Sequence, residues 1–205
     1  IGAMHRRLAG SLLTPADTYQ EMARGHGKTS GVSIVLEWLL GHYPSLRVKV
    51  IGSTDEEAIK TTEALRESIQ SDLFRAVFPN VRLVEGSSSK SAWRLTGARP
   101  GARDPTVEAN GVMGRAGGRW DILWLDDISD LQNSILKPAE RPKVKAAVAN
   151  TWMPMRDRAN QGPIPQRVWK TATPYHTDDI TADWRRTHAA NGTLLRCPCM
   201  VKNGR

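Results

Sequence analysis

A-R-G-H-G-K-T-S, Ala23 to Ser30, follows the short, partly apolar run Thr18–Ala23 and opens the apolar run Val32–Leu40. A strand, a glycine-rich turn and a helix in that order form a phosphate-binding site, because backbone N–H groups of the turn and of the helix N-terminus face the anion. Arg24, Gly25, His26, Gly27, Lys28, Thr29 and Ser30 are the candidate nucleotide-binding residues of such a loop. Lys28 adds a point charge at the β- and γ-phosphates, and the Thr29 hydroxyl holds Mg²⁺. The usual pattern has a glycine five residues before the second glycine, and Met22 stands there instead. A bare G-K-T also fits a surface turn that caps an ordinary helix, so the reading depends on what lies downstream.

Downstream, Ile122–Leu125 is a continuous apolar run ending in Asp126-Asp127. That is the pattern of a strand buried on both faces and closed by acids. In a P-loop NTPase the first carboxylate, Asp126, holds Mg²⁺, and the second, Asp127, orients or deprotonates the attacking water. Open α/β sheets place ligands beyond the C-terminal ends of their strands, which brings Lys28 and Asp126 to one side. Thr171-Ala172-Thr173 ends the next predicted strand, where a hydroxyl can sense the γ-phosphate. β-branched residues also favour strands for packing reasons alone.

The rest of the chain supplies alternating strands and helices. Arg47–Ser53 reads as a strand, and Thr54 caps a helix with acids in its first turn and apolar residues running to Ile69. Val81–Val84 is a short predicted strand, with a hairpin around Trp93–Thr96 and a further strand over Thr106–Val112. Gly114–Arg119 and Gly162–Pro165 are loops, Pro138 to about Arg158 is a helix, and Val168–Thr173 is the last core strand. This order predicts a single α/β domain of the P-loop NTPase class, ASCE or RecA-like, with a mostly parallel sheet flanked by helices. Ile1–Met4 reads as a processing scar set aside from the domain, which then covers residues 5–205.

The chain has 205 residues, 24% charged and 40% hydrophobic, with a formal net charge of +8. Beside an ATP-type site, that basicity points to a second polyanion, most simply nucleic acid. Cys197 and Cys199 form a lone C-x-C, which supplies at most half of a structural zinc site and is poorly placed for a mutual disulfide. No apolar run is long enough to span a membrane and no secretory signal is visible, so the expected location is intracellular.

With three segments placed, the chain resembles the ATPase domain of the large terminase subunit, the DNA-packaging motor of tailed bacteriophages. The resemblance runs from about Gln20 to Ile180. It rests on R-G-H-G-K-T (Arg24–Thr29), on the approach to the acidic pair from Asp104 to Ile128, and on T-A-T-P-Y-H-T-D-D-I (Thr171–Ile180). The resemblance implies ATP and Mg²⁺ as cofactors and hydrolysis to ADP and phosphate. Lys28 and Arg24 act at the phosphates, Thr29 and Asp126 at the metal, and Asp127 as the catalytic carboxylate, which is Glu in many relatives. Thr171, Ala172 and Thr173 match the coupling motif. It further implies double-stranded DNA, a portal protein and a small terminase subunit as partners, in a homo-oligomeric ring at the procapsid portal in the host cytoplasm. A neighbour's arginine often completes each site in such rings, and Arg115 and Arg119 in the glycine-rich loop are the candidates. The family's ribonuclease H-type nuclease half has no counterpart before Arg205, so no nuclease activity is expected. Two other readings stay open: a helicase-like P-loop motor, and a non-enzymatic nucleic-acid-binding domain. Tyr19 and Gln20 lie too near the loop to define an adenine pocket.

Overall fold

The computed structural model describes residues 2–86, 89–115, 117–156 and 162–197. Its centre is a seven-stranded sheet in the order β3-β4-β2-β5-β6-β1-β7. The strands are β1 (Thr18–Met22), β2 (Val48–Gly52), β3 (Ala92–Trp93), β4 (Val107–Gly111), β5 (Ile122–Asp126), β6 (Arg167–Ala172) and β7 (Leu194–Cys197). Every pairing is parallel except that of the two-residue edge strand β3 with β4. Among the described residues six α-helices accompany the sheet: α1 (Ala3–Leu13), α2 (Lys28–His42), α3 (Asp55–Ile69), α4 (Asp72–Val77), α5 (Glu140–Ala147) and α6 (Ile180–Ala190).

The period-two geometry of a strand sorts its side chains between two cores. Ile122 and Trp124 of β5, with Trp169 of β6, join Leu8 and Leu12 of α1, Val32 and Leu36 of α2, and Leu65 and Ile69 of α3. Leu123, Leu125 and Val168 point the other way, to Val144 of α5 and Ile180 and Trp184 of α6. Residues of β2, β5 and β6 are buried almost throughout, which explains why Ile122–Leu125 of β5 reads as a continuous rather than an alternating run. In α2 the buried Val32, Val35, Leu36, Leu39 and Leu40 recur at the three- and four-residue spacing of one helix face. Thr54 caps α3 as expected, its hydroxyl accepting from the Glu57 N–H. The indole N–H groups of the buried Trp120, Trp124, Trp152 and Trp169 are each satisfied, by the Trp152 carbonyl, Thr171, the Val112 carbonyl and the Leu12 carbonyl.

Several expectations need correction. Val81–Val84 is not a strand; Leu83 makes an isolated antiparallel bridge to Leu95, and Arg82 and Val84 bond to Thr96 and Arg94. The helix predicted over Pro138–Arg158 is three pieces, because α5 gives way to a π-helical turn at Val148–Trp152 and a 3₁₀ turn at Met153–Met155. Pro154 there lacks the N–H that would continue an α-helix. The end of that prediction, Asp157 and Arg158, lies outside the described residues, as does Cys199. Helices α1, α4 and α6 and strand β7 were not assigned from sequence, and α1 takes in Ala3 and Met4. Among the described residues no helix is long and apolar enough to cross a membrane.

Candidate nucleotide-binding site

Parallel pairing aligns the C-terminal ends of β1, β6 and β5, with Thr171 level with Gln20 on one side and Asp126 on the other. The turn after β1 is built by Gly25 (φ 78°) and Gly27 (φ 67°), both left-handed, a conformation that L-residues with a Cβ rarely adopt. That double reversal delivers Lys28 into the first turn of α2 with its side chain buried. Lys28 Nζ lies 2.6 Å from Asp127 Oδ2 and donates to Thr173 Oγ1 at 3.1 Å. The Thr29 hydroxyl meets both oxygens of Asp126, at 3.4 and 3.3 Å. Segments 97 residues apart in sequence thus converge on one point.

Asp126 is surrounded by hydroxyls. Thr171 Oγ1 donates to its Oδ1 at 2.7 Å while accepting from the Trp124 indole at 2.9 Å, and Thr61 Oγ1 stands 3.5 Å from Oδ2. Burial pushes the Asp126 carboxyl up to about 6, and the neighbouring Asp127 charge adds to the rise. Thr171, Lys28 and Thr29 pull the other way. A carboxylate whose charge burial opposes, with an aliphatic hydroxyl beside it, suits a hard divalent cation. Among the described residues no three His, Cys, Asp or Glu side chains cluster for a metal. Asp126 and Thr29 are the residues here that could hold such a cation.

Asp127 has φ 44°, the one positive value among described residues other than glycine. Its own N–H bonds to the Thr171 carbonyl at 2.9 Å, and its Oδ1 accepts from the Thr173 N–H at 2.8 Å. These two bonds hold the left-handed turn and present Oδ2 to Lys28. Arg24 donates to the Tyr175 hydroxyl and lies over that ring, 5.5 Å from its centroid. The His26 ring folds back toward the Arg24 carbonyl, Nδ1 to O 3.2 Å. A cleft of about 820 Å³ opens beside these groups, lined by Arg24, Thr29, Asp126 and Asp127 and by Glu57 and Thr61 of α3.

Of the residues predicted for the site, Arg24, Gly25, Gly27, Lys28, Thr29, Asp126, Asp127, Thr171 and Thr173 are brought together. Ala172 is buried in the core beneath the site, and Ser30 is exposed in the first turn of α2. Arg115 and Arg119 do not line the cleft; the Arg119 N–H bonds instead to Asp104 Oδ2 at 3.1 Å. Thr61, Glu57 and Tyr175 were missed. Tyr175 stood inside the T-A-T-P-Y-H segment without a role, whereas Thr61 carries no local signal, since only α3 packing brings it to Asp126.

Sheet order and helical layers define an α/β domain with a mostly parallel sheet, and the candidate site lies at its strand ends. Among solved structures the chain is similar to the large terminase of a thermophilic bacteriophage, with a TM-score of 0.56 and 12% identity. The match covers 95% of this chain and 44% of that one, so the chain spans less than half the length of its structural neighbour. No family model matches the chain, and no curated protein matches it in sequence.

Proposed function

We propose that this chain is a Mg²⁺-dependent ATPase, the P-loop motor domain of a large terminase that drives double-stranded DNA into a procapsid. The observation that carries the reading is the meeting of Lys28 with Asp127 and of Thr29 with Asp126 at the mouth of one cleft. Phosphates entering the glycine turn compete for Lys28, whose ammonium leaves Asp127 for the γ-phosphate oxygens. Asp127 Oδ2, freed of its cation, then accepts a hydrogen bond from water and orients it toward phosphorus, while the Thr173 N–H keeps the carboxylate in place. Asp126 and Thr29 would hold Mg²⁺, which when bound offsets charge on the β- and γ-phosphates. Thr173, bonded to Lys28, connects that exchange to the Tyr175–Asp179 segment ahead of α6, a route for coupling hydrolysis to movement.

Double-stranded DNA, a portal protein, a small terminase subunit and a ring of identical copies at the capsid belong to the same proposal. Arg115 or Arg119 would serve a neighbouring subunit's site, where a guanidinium offsets charge on the transferring phosphate. Lys28→Ala is expected to abolish turnover, and near-normal hydrolysis by that variant overturns the assignment. Asp127→Asn is expected to retain nucleotide binding and lose hydrolysis, whereas equal loss of both would make Asp127 a metal ligand. Turnover per subunit that climbs with protein concentration would support completion of the site by a neighbour.

A further inference from the structure

A second concave site lies at the far end of α3. It is a groove of about 360 Å³ lined by Arg66, Ile69, Gln70, Arg75, Arg82 and Leu83, with Val84 and Glu85 at its border. Arg66 comes from the last turn of α3 and Arg75 from the last turn of α4. Arg82 follows α4 and donates through Nη1 to the carbonyls of Phe78 and Val81, at 3.4 and 2.9 Å. Arg66 and Arg82 are half-buried and Arg75 is exposed, and among the described residues none of the three guanidiniums has a carboxylate within ion-pairing distance. Cations near helix C-termini complement the helix dipole, which accounts for each arginine singly. It does not account for three of them converging on one groove with a single acid, Glu85, at its edge.

We propose that this groove binds the phosphodiester backbone of duplex DNA. Guanidinium forks match phosphate oxygens in geometry as well as charge, and a polyanion gives three unpaired guanidiniums the counter-charge the chain itself does not supply. The formal charge of +8 favours such a polymer over an acidic peptide, because neutralising many phosphates releases condensed counterions. Contacts of this kind position the duplex without reading bases. The same α3 helix that carries Arg66 lines the nucleotide cleft with Glu57 and Thr61, about 14 and about 8 Å away along its axis. The identity of the polymer rests on the DNA-motor reading above; the groove itself does not.

The test is binding of a labelled duplex of arbitrary sequence, by fluorescence anisotropy from about 50 to about 200 mM salt, with Arg66→Gln/Arg75→Gln. Arg82 is left intact because its carbonyl bonds are structural. The double variant is expected to lower the slope of log affinity against log salt by about 2, equally for two unrelated sequences, with an unchanged melting temperature. Arg6→Gln/Arg7→Gln on α1 removes the same charge elsewhere and is expected to keep the slope within about half a unit of the unmodified chain. Retention of the full slope by the groove variant, or an equal fall in the α1 variant, overturns the proposal. So does displacement of the duplex by micromolar inorganic phosphate at constant ionic strength, which would make the groove a free-phosphate site. ATP binding, measured separately and expected to be unchanged in the groove variant, distinguishes failure here from failure of the ATPase assignment.

Discussion

Replacing Asp126 by asparagine is expected to stabilise the nucleotide-free protein, although Asp126 sits at the heart of the candidate site. Its carboxyl titrates at about 6 when folded against an ordinary value of 3.8, chiefly because it is desolvated. A rise of that size corresponds to about 3 kcal/mol that the ionised form costs the folded state above both values. The folded state holds the proton more tightly than the unfolded chain. Stability from this group is therefore complete below about pH 4 and is lost as pH rises through about 6. In Asp126→Asn the new amide carries no charge and keeps one carbonyl oxygen for the Thr171 hydroxyl, while its NH₂ group can donate to the Thr29 and Thr61 oxygens. Allowing for the lost attraction to Lys28, the net gain at about pH 8 is about 1–3 kcal/mol, or a few degrees to about 10 °C in melting temperature. Thermal melts of both proteins in chelator, at several pH values from about 4 to about 8, make the measurement. A stability gap that opens across that window supports the picture of a carboxylate buried at a cost for use by a cation. A gap no wider at high pH than at low pH would refute it.

Other perturbations follow from the same geometry. Tyr175→Phe removes the hydroxyl that holds Arg24, and nucleotide affinity measured by calorimetry is expected to rise up to about fivefold, about 1 kcal/mol, since the bond competes with phosphate. Lys170 is buried against His188, its Nζ 2.9 Å from Nε2, and desolvation lowers it to about 8 and His188 to about 4. The unfolded chain therefore takes up a proton at His188 below about pH 6.5, so stability in urea falls from there toward pH 4, and His188→Gln is expected to flatten that limb. Gly52→Ala places a Cβ 2.8 Å from the Ala58 backbone nitrogen and 3.0 Å from the Thr54 carbonyl, at the N-terminus of α3. Backbone cannot step aside as a side chain can, so denaturation is expected to show a loss of about 1–3 kcal/mol, with Gly10→Ala, which meets nothing within 4 Å, as the tolerated control.

The elements that came cleanly from sequence are those whose signal is local. The five-residue strand β5 opens on an apolar run because both of its faces are covered, β2 shows a β-branched core around Lys49, and α3 announces itself through the Thr54 cap and the spacing of Ala58, Thr62, Leu65 and Ile69. G-H-G-K-T was legible because glycine takes, without a Cβ penalty, the left-handed turns at Gly25 and Gly27 that put Lys28 at a helix start. The acidic pair was legible because two charges at the end of a wholly apolar run have few other places to be. Where local signals were weak or mixed, the reading failed. Val81–Val84 has strand composition but forms, among the described residues, an isolated bridge from Leu83 to Leu95, and the stretch after Pro138 has helical spacing that the chain breaks into three geometries.

Which residues meet was a matter for the tertiary structure. The sequence by itself determined the residue types at the strand ends: a lysine, three threonines and two aspartates on three separate segments. It could not determine that β6 lies between β1 and β5, because strand order depends on how helices pack across both faces and not on any one segment's pattern. That order sets Thr171 against Asp126 and Thr173 against both Lys28 and Asp127. It also leaves Arg115 and Arg119 outside the cleft and brings in Thr61 from a helix that sequence reading treated as scaffold. Charge type is written along the chain; charge neutralisation, burial and the raised Asp126 carboxyl arise only once packing has excluded water from the point where those segments converge.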